Sequence, residues 1–163
     1  MEPLLAHTIL RRELTKNSME KYSVTQYCNA AGMGRGTFYN TYTGIADLFC
    51  NTLQFEIKTH FNDYYDCTPR KLIYAFIREI GNYRIYYTNI YRITSRKKNI
   101  HICSHLNRTL FKEMQKHLLN SDYSNKRIKS VTNMIFSRIK DWVAHNCTDR
   151  VLDVYTDLAV LLP

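Results

Sequence analysis

Residues 23–42 read SVTQYCNAAGMGRGTFYNTY, and this stretch decides the fold. Ser23 followed by Gln26 is a capping box. The serine oxygen accepts from a free backbone N–H, and the glutamine side chain returns to the serine's own N–H. A short helix over residues 23–30 follows from it. Ala31-Gly32-Met33 reads as a tight turn, with Gly32 supplying the left-handed backbone that a side chain resists. A second short helix covers residues 35–40. Ala30 and Ala31 are small enough to let the two helices cross closely. Two short helices joined by a glycine-containing turn form a helix-turn-helix. Val24, Tyr27, Met33 and Phe38 are its candidate core. Thr25, Arg35, Gly36, Thr37, Tyr39 and Asn40 are left facing outward.

Helical periodicity continues on both sides. Pro3 suits a helix start, and Leu5, Ile9 and Leu14 mark the apolar stripe of a helix over residues 3–16. Leu48, Phe49, Leu53, Ile57 and Phe61 mark another over residues 44–64. Pro69 opens a tyrosine-rich helix reaching residue 93, with Tyr74, Tyr83, Tyr86, Tyr87 and Tyr91. Residues 94–98 read as a basic connection. Further helices are expected over residues 99–119, 126–146 and 149–161. Ile128, Val131, Ile135, Ile139 and Trp142 form the stripe of residues 126–146. Only 5 Gly and 3 Pro interrupt the chain, and no alternating strand pattern appears. The expected class is all-α, with a three-helix helix-turn-helix domain at residues 1–48 and a helical domain at residues 49–163.

Hydrophobic residues make up 45% and charged residues 23% of the 163, the balance of a globular chain rather than a disordered one. The net charge of +9 favours an anionic partner. That charge is unevenly placed. Residues 1–48 carry five Lys and Arg against four acids, whereas residues 49–163 carry 18 against 10. Five widely spaced cysteines offer no disulfide framework, so a reduced cytoplasmic setting is the simplest. No signal pattern opens the chain, and no apolar run approaches a membrane span, so no membrane partner is expected.

The outward set at residues 25–40 has the chemistry of DNA contact. Hydroxyls and helix-start N–H groups bind phosphates, and an arginine at the start of a recognition helix can read guanine in the major groove. The sequence here resembles the tetracycline-repressor family of transcription regulators over its first third. The matching pieces are Ser23-Val24-Thr25, Ala30-Ala31-Gly32-Met33, Gly36-Thr37-Phe38-Tyr39, Tyr42 at an aromatic position, and Asp47-Leu48. The resemblance implies phosphate contacts from Thr25, Thr37 and Tyr39, with Arg35 and Asn40 nearest the base edges. It also implies a second domain for effector binding and dimerisation, and operator binding as a dimer. Three positions depart from the family pattern. Gly34 replaces a hydroxyl residue, Thr41 a histidine, and Ile45 a lysine.

Other features are weaker. Gly32-x-Gly34-x-Gly36 has neither the preceding strand nor the spacing of a nucleotide-binding loop. His101 and His105 share a helical face with no third ligand, so they suit a surface or a pocket better than a metal site. Tyr83, Tyr86 and Tyr87, with His101 and His105, are candidate lining for a ligand pocket, with ordinary packing as the alternative. Residues 69–98 hold eight Lys and Arg against Glu79 alone. A solvated face is the plain reading; an anionic small-molecule effector is the sharper one. The apolar last two helices suggest a homodimer formed through residues 126–162, with a closed monomer core as the alternative. No nucleophile–base set, metal cluster or cofactor motif points to an enzyme. Two functions stand: a transcription regulator, expected to be a repressor at a palindromic operator, and a helical protein-interaction module that keeps the fold without strong operator binding.

Overall fold

The computed structural model describes residues 3–96 and 100–163. Among these residues the chain forms α1 (Pro3–Leu14), α2 (Val24–Ala31), α3 (Arg35–Tyr39), α4 (Ile45–Asp63), α5 (Pro69–Asn82), α6 (Arg84–Ser95), α7 (Ile100–His117), α8 (Asn125–Ala144) and α9 (Val151–Ala159), with no strand. The all-α class is as the sequence implies. None of these helices is long and apolar enough to cross a membrane.

Local chemistry sets most of the helix ends. Thr68 caps α5 by accepting from the Lys71 N–H, and Pro69 opens its first turn. Ser124 caps α8 in the same way through the Arg127 N–H. Two expectations need correction. In α1 the buried residues are Ala6, Ile9, Leu10 and Leu14, while Leu5 is 49% exposed, so the stripe runs one position later than Leu5 suggested. The single helix expected from residue 69 to residue 93 is two helices, broken at Tyr83, whose φ of −111° and ψ of 33° leave the helical region. Gly81 and Asn82 are weak helix formers at that point. The basic connection begins only after Ser95, and Lys97 and Lys98 lie outside the described residues.

The break at Tyr83 lets α5 and α6 serve different cores. A front core gathers residues of α1 to α4 with Tyr86, Ile90 and Ile93 of α6. A rear core gathers Ile57 and Phe61 of α4 with the buried faces of α5, α7, α8 and α9. Tyr87 packs against both. Asn89 fastens α6 to the end of α1 and the segment that follows it. Its side chain is fully buried; it donates to the Leu14 and Asn17 carbonyls, both at 2.8 Å, and accepts from the Met19 N–H at 2.7 Å.

The last two helices pack inward. Ile128, Val131, Ile135 and Trp142 of α8 are buried in the rear core with Val154, Leu158 and Leu162, and Ile139 is half-buried against it. The apolar stripe read as a two-fold interface is thus largely engaged within one chain.

Candidate nucleic-acid interface and the cavity behind it

The helix-turn-helix is built by backbone chemistry that the sequence announces. The Ser23 N–H donates to Gln26 Oε1 at 2.8 Å, and the Gln26 N–H donates to Ser23 Oγ at 3.2 Å, completing the capping box of α2. Gly32 ends α2 with φ at 64°. The Gly32 N–H donates to the Asn29 carbonyl and the Met33 N–H to the Cys28 carbonyl, a Schellman closure. The short α3 could not persist alone. It is held by Phe38, which is fully buried with ring centroids 5.8 Å from Tyr27 and 5.4 Å from Tyr42. Tyr27 and Phe38 form the small core as expected, with Val24 and Met33 only half-buried at its edge.

All six outward residues, Thr25, Arg35, Gly36, Thr37, Tyr39 and Asn40, are exposed. Thr25, Arg35 and Tyr39 come together on an open cleft of about 600 Å³, whereas Gly36, Thr37 and Asn40 stand on α3 away from it. Two further cations line that cleft: Lys21, and Arg96 at the end of α6, which pairs with Glu20 at 2.7 Å. Arg96 stands 57 residues after Tyr39 in sequence, so only the tertiary fold reveals it as a neighbour of the recognition helix. The three departures have structural counterparts. Gly34 begins α3 without a side-chain cap. Thr41 is exposed. Ile45 is 8% exposed and belongs to the front core, so this position contributes packing rather than charge. Beside it, Asp47 accepts from the Thr43 N–H at 2.9 Å and places an acid at the start of α4.

No family model and no curated protein matches the sequence. Two solved structures share its architecture. One is described as the dihydroxyacetone kinase operon activator DhaS, with a TM-score of 0.67 and 14% identity over 98% of this chain and 92% of that one. The other is the fatty acid degradation regulator FadR from Bacillus halodurans, with a TM-score of 0.66 and 10% identity over 98% and 93% of the two chains. The fold is that of two named regulators. At these identities the likeness concerns the fold alone.

Behind the helix-turn-helix, α4 to α8 line a half-open apolar cavity of about 150 Å³. Leu53, Ile57, Phe76, Leu106, Leu110 and Phe136 are among its walls, and Tyr87, Tyr91, Thr94, Cys103 and Lys140 also line it. Of the five residues expected to line a pocket, Tyr87 alone does. Tyr83 is 38% exposed, Tyr86 is fully buried towards the front core, and His101 and His105 are exposed on α7. Their helix does face the cavity, but through Ile102, Cys103 and Leu106.

The tyrosines instead belong to a buried polar cluster that sequence reading missed. Glu56 of α4 accepts from the Tyr86 hydroxyl at 2.7 Å and the Tyr87 hydroxyl at 2.8 Å. Arg11 of α1 approaches Glu56 at 3.4 Å, donates to the Tyr87 oxygen at 2.8 Å, and lies 4.0 Å from the Tyr83 ring centroid. His7 Nε2 is 3.2 Å from Glu56. Burial alone would raise the Glu56 pKa. The nearby His7 ring, the Arg11 charge and the Tyr86 hydroxyl outweigh it and hold the carboxyl below its ordinary 4.5. Burial and the neighbouring Glu56 push both tyrosines well above 10.0, so they remain donors. Glu56 and Tyr87 border the apolar cavity on one side and a polar cleft with His7, Arg11 and Glu79 on the other.

Proposed function

We propose that this chain is a transcription regulator of the tetracycline-repressor type, reading a palindromic operator as a homodimer. One observation carries the reading: six residues suited to DNA contact are exposed on a unit whose Tyr27, Phe38 and Tyr42 are buried. In this reading α3 enters the major groove with Arg35 and Asn40 towards base edges, while Thr25, Thr37 and Tyr39 hold phosphates and Gly36 permits close approach. Arg96 adds positive charge that residues 1–48 lack. Residues 1–48 form the reading domain and residues 49–163 the regulatory and dimerising one. Covering the operator makes repression the direct output, although one fold neighbour is named an activator.

The dimer is proposed through the outer faces of α8 and α9 within residues 126–162, where Met134, Leu152 and Val160 are exposed. An effector in the cavity would act on the head through Tyr87 and Glu56, which border the cavity and hold Arg11 of α1. The test is a binding series on a selected operator. Arg35→Ala is expected to lose about 1–3 kcal/mol and to relax sequence choice, whereas Thr37→Ala and Tyr39→Phe weaken binding evenly across sequences. Wild-type binding by all three overturns the reading. The second reading, a protein-interaction module, draws on the uncapped Gly34 start of α3 and the Glu20–Arg96 pair that offsets charge at the cleft. It requires DNA affinity to be weak and insensitive to salt.

A further inference from the structure

We propose that the half-open cavity lined by α4 to α8 binds a compact apolar monocarboxylate, with its ring or short chain inside and its carboxylate at Lys140. The proposal rests on the regulatory reading for its biological purpose, but the binding step stands on the cavity's own chemistry.

Size comes first. A cavity of about 150 Å³ matches the space in which an apolar protein interior holds a benzene-sized molecule. Leu53, Phe76, Leu106 and Phe136 give it an apolar surface, so a polyol, sugar or nucleotide would strand its hydroxyls there without partners. The inner polar groups are already engaged. The Tyr87 hydroxyl donates to Glu56 and accepts from Arg11, and Glu56 receives both tyrosine hydroxyls. They offer a ligand little hydrogen bonding at that end, and Glu56 would repel a second carboxylate.

Lys140 supplies the opposite end. It lines the cavity from α8 yet is exposed as a residue, which puts its aliphatic stem along the wall and its ammonium towards water. Among the described residues no carboxylate lies within ion-pair distance of it. An apolar body with one anionic end fits both halves of this arrangement. The uncharged analogue fits only the first.

Calorimetric titration of the full chain with benzoate and with benzyl alcohol tests the assignment. Benzoate is expected to bind more tightly than benzyl alcohol. Lys140→Met is expected to weaken benzoate about tenfold, as loss of a charge-assisted hydrogen bond does, and to leave benzyl alcohol unchanged. Leu106→Trp, which fills the cavity, is expected to abolish both. If that variant does not fold, Lys140→Met decides alone, since its side chain reaches solvent. Absence of benzoate binding at millimolar concentration, or equal benzoate affinity in wild type and Lys140→Met, overturns the proposal. The same titration followed by operator binding separates the two readings. Lys140-dependent benzoate binding that leaves DNA affinity unchanged keeps the ligand site and removes its regulatory role.

Discussion

The side-chain amide of Asn89 uses its three hydrogen bonds on the backbone around residues 14–19, the segment leading from α1 towards α2. An alanine there leaves two carbonyls and one N–H without these partners, the Leu14 carbonyl among them at a buried residue. Asn89→Ala is expected to lower unfolding stability by about 2–4 kcal/mol, read by denaturant melts. Asn89→Asp does no better, because its carboxylate would face two carbonyl oxygens. Glu56 is a comparable case, but its partners are side chains. The carboxylate joins α1, α4 and α6 in one polar cluster, to which α1 contributes Arg11. Neither residue stands out in the sequence. An Asn or Glu in a helix reads as a surface residue until the partners that bury it are known.

At the scale of elements, packing explains what periodicity alone does not. Gly81 lies where α5 meets α8 and α9; a Cβ there would come within 2.6 Å of Val151 Cγ2 and 3.3 Å of the Trp142 ring. Alanine is the better helix former, yet Gly81→Ala is expected to cost about 1–3 kcal/mol because the overlap outweighs propensity. Thermal melts check the sign, and a stabilised variant would contradict this packing. The cap of α2 and the start of α5 were legible in the sequence because both signals are local: Ser23 with Gln26, and Pro69 at a first helical turn, need no partner from elsewhere. The break at Tyr83 was not legible, since the run of tyrosines and isoleucines keeps helical spacing across it and the change of face depends on two separate cores. Which residues face the cavity was not legible for a related reason. Spacing places His101 and His105 on one face of α7 and Cys103 on another, but only the neighbours of α7 decide which face points inward. The six outward residues of the helix-turn-helix were legible, because the buried aromatic set of a small unit leaves few ways to orient it.

For the whole molecule, the uneven charge acquires a geometry. Arg96, just after α6, reaches the cleft beside Arg35 and Tyr39, and Arg92 bonds Ser18 and Asn146, so part of the positive charge of residues 49–163 lies next to the front. Stability should also respond to pH from the rear. Burial lowers the pKa of His60 and of His117 below 6.5, and a carbonyl partner for each opposes the shift without cancelling it. An unfolded chain therefore binds protons that the folded chain refuses. Stability is full above pH 6.5 and declines as pH falls through and below it. Melting temperature should drop between neutral pH and pH 5.5, less steeply in His60→Phe; a flat profile for wild type would contradict the burial of these rings. Glu56 adds its own loss only further down, below its ordinary 4.5.

Selection of bound fragments from random duplexes by the full chain decides whether residues 23–42 read DNA. Enrichment of a palindrome whose half-sites lie about one helical turn apart is expected. The selected duplex is expected to lose affinity steeply with added salt. Recovery of unenriched fragments, or binding that Arg35→Ala, Thr37→Ala and Tyr39→Phe all leave untouched, would contradict DNA reading by these residues.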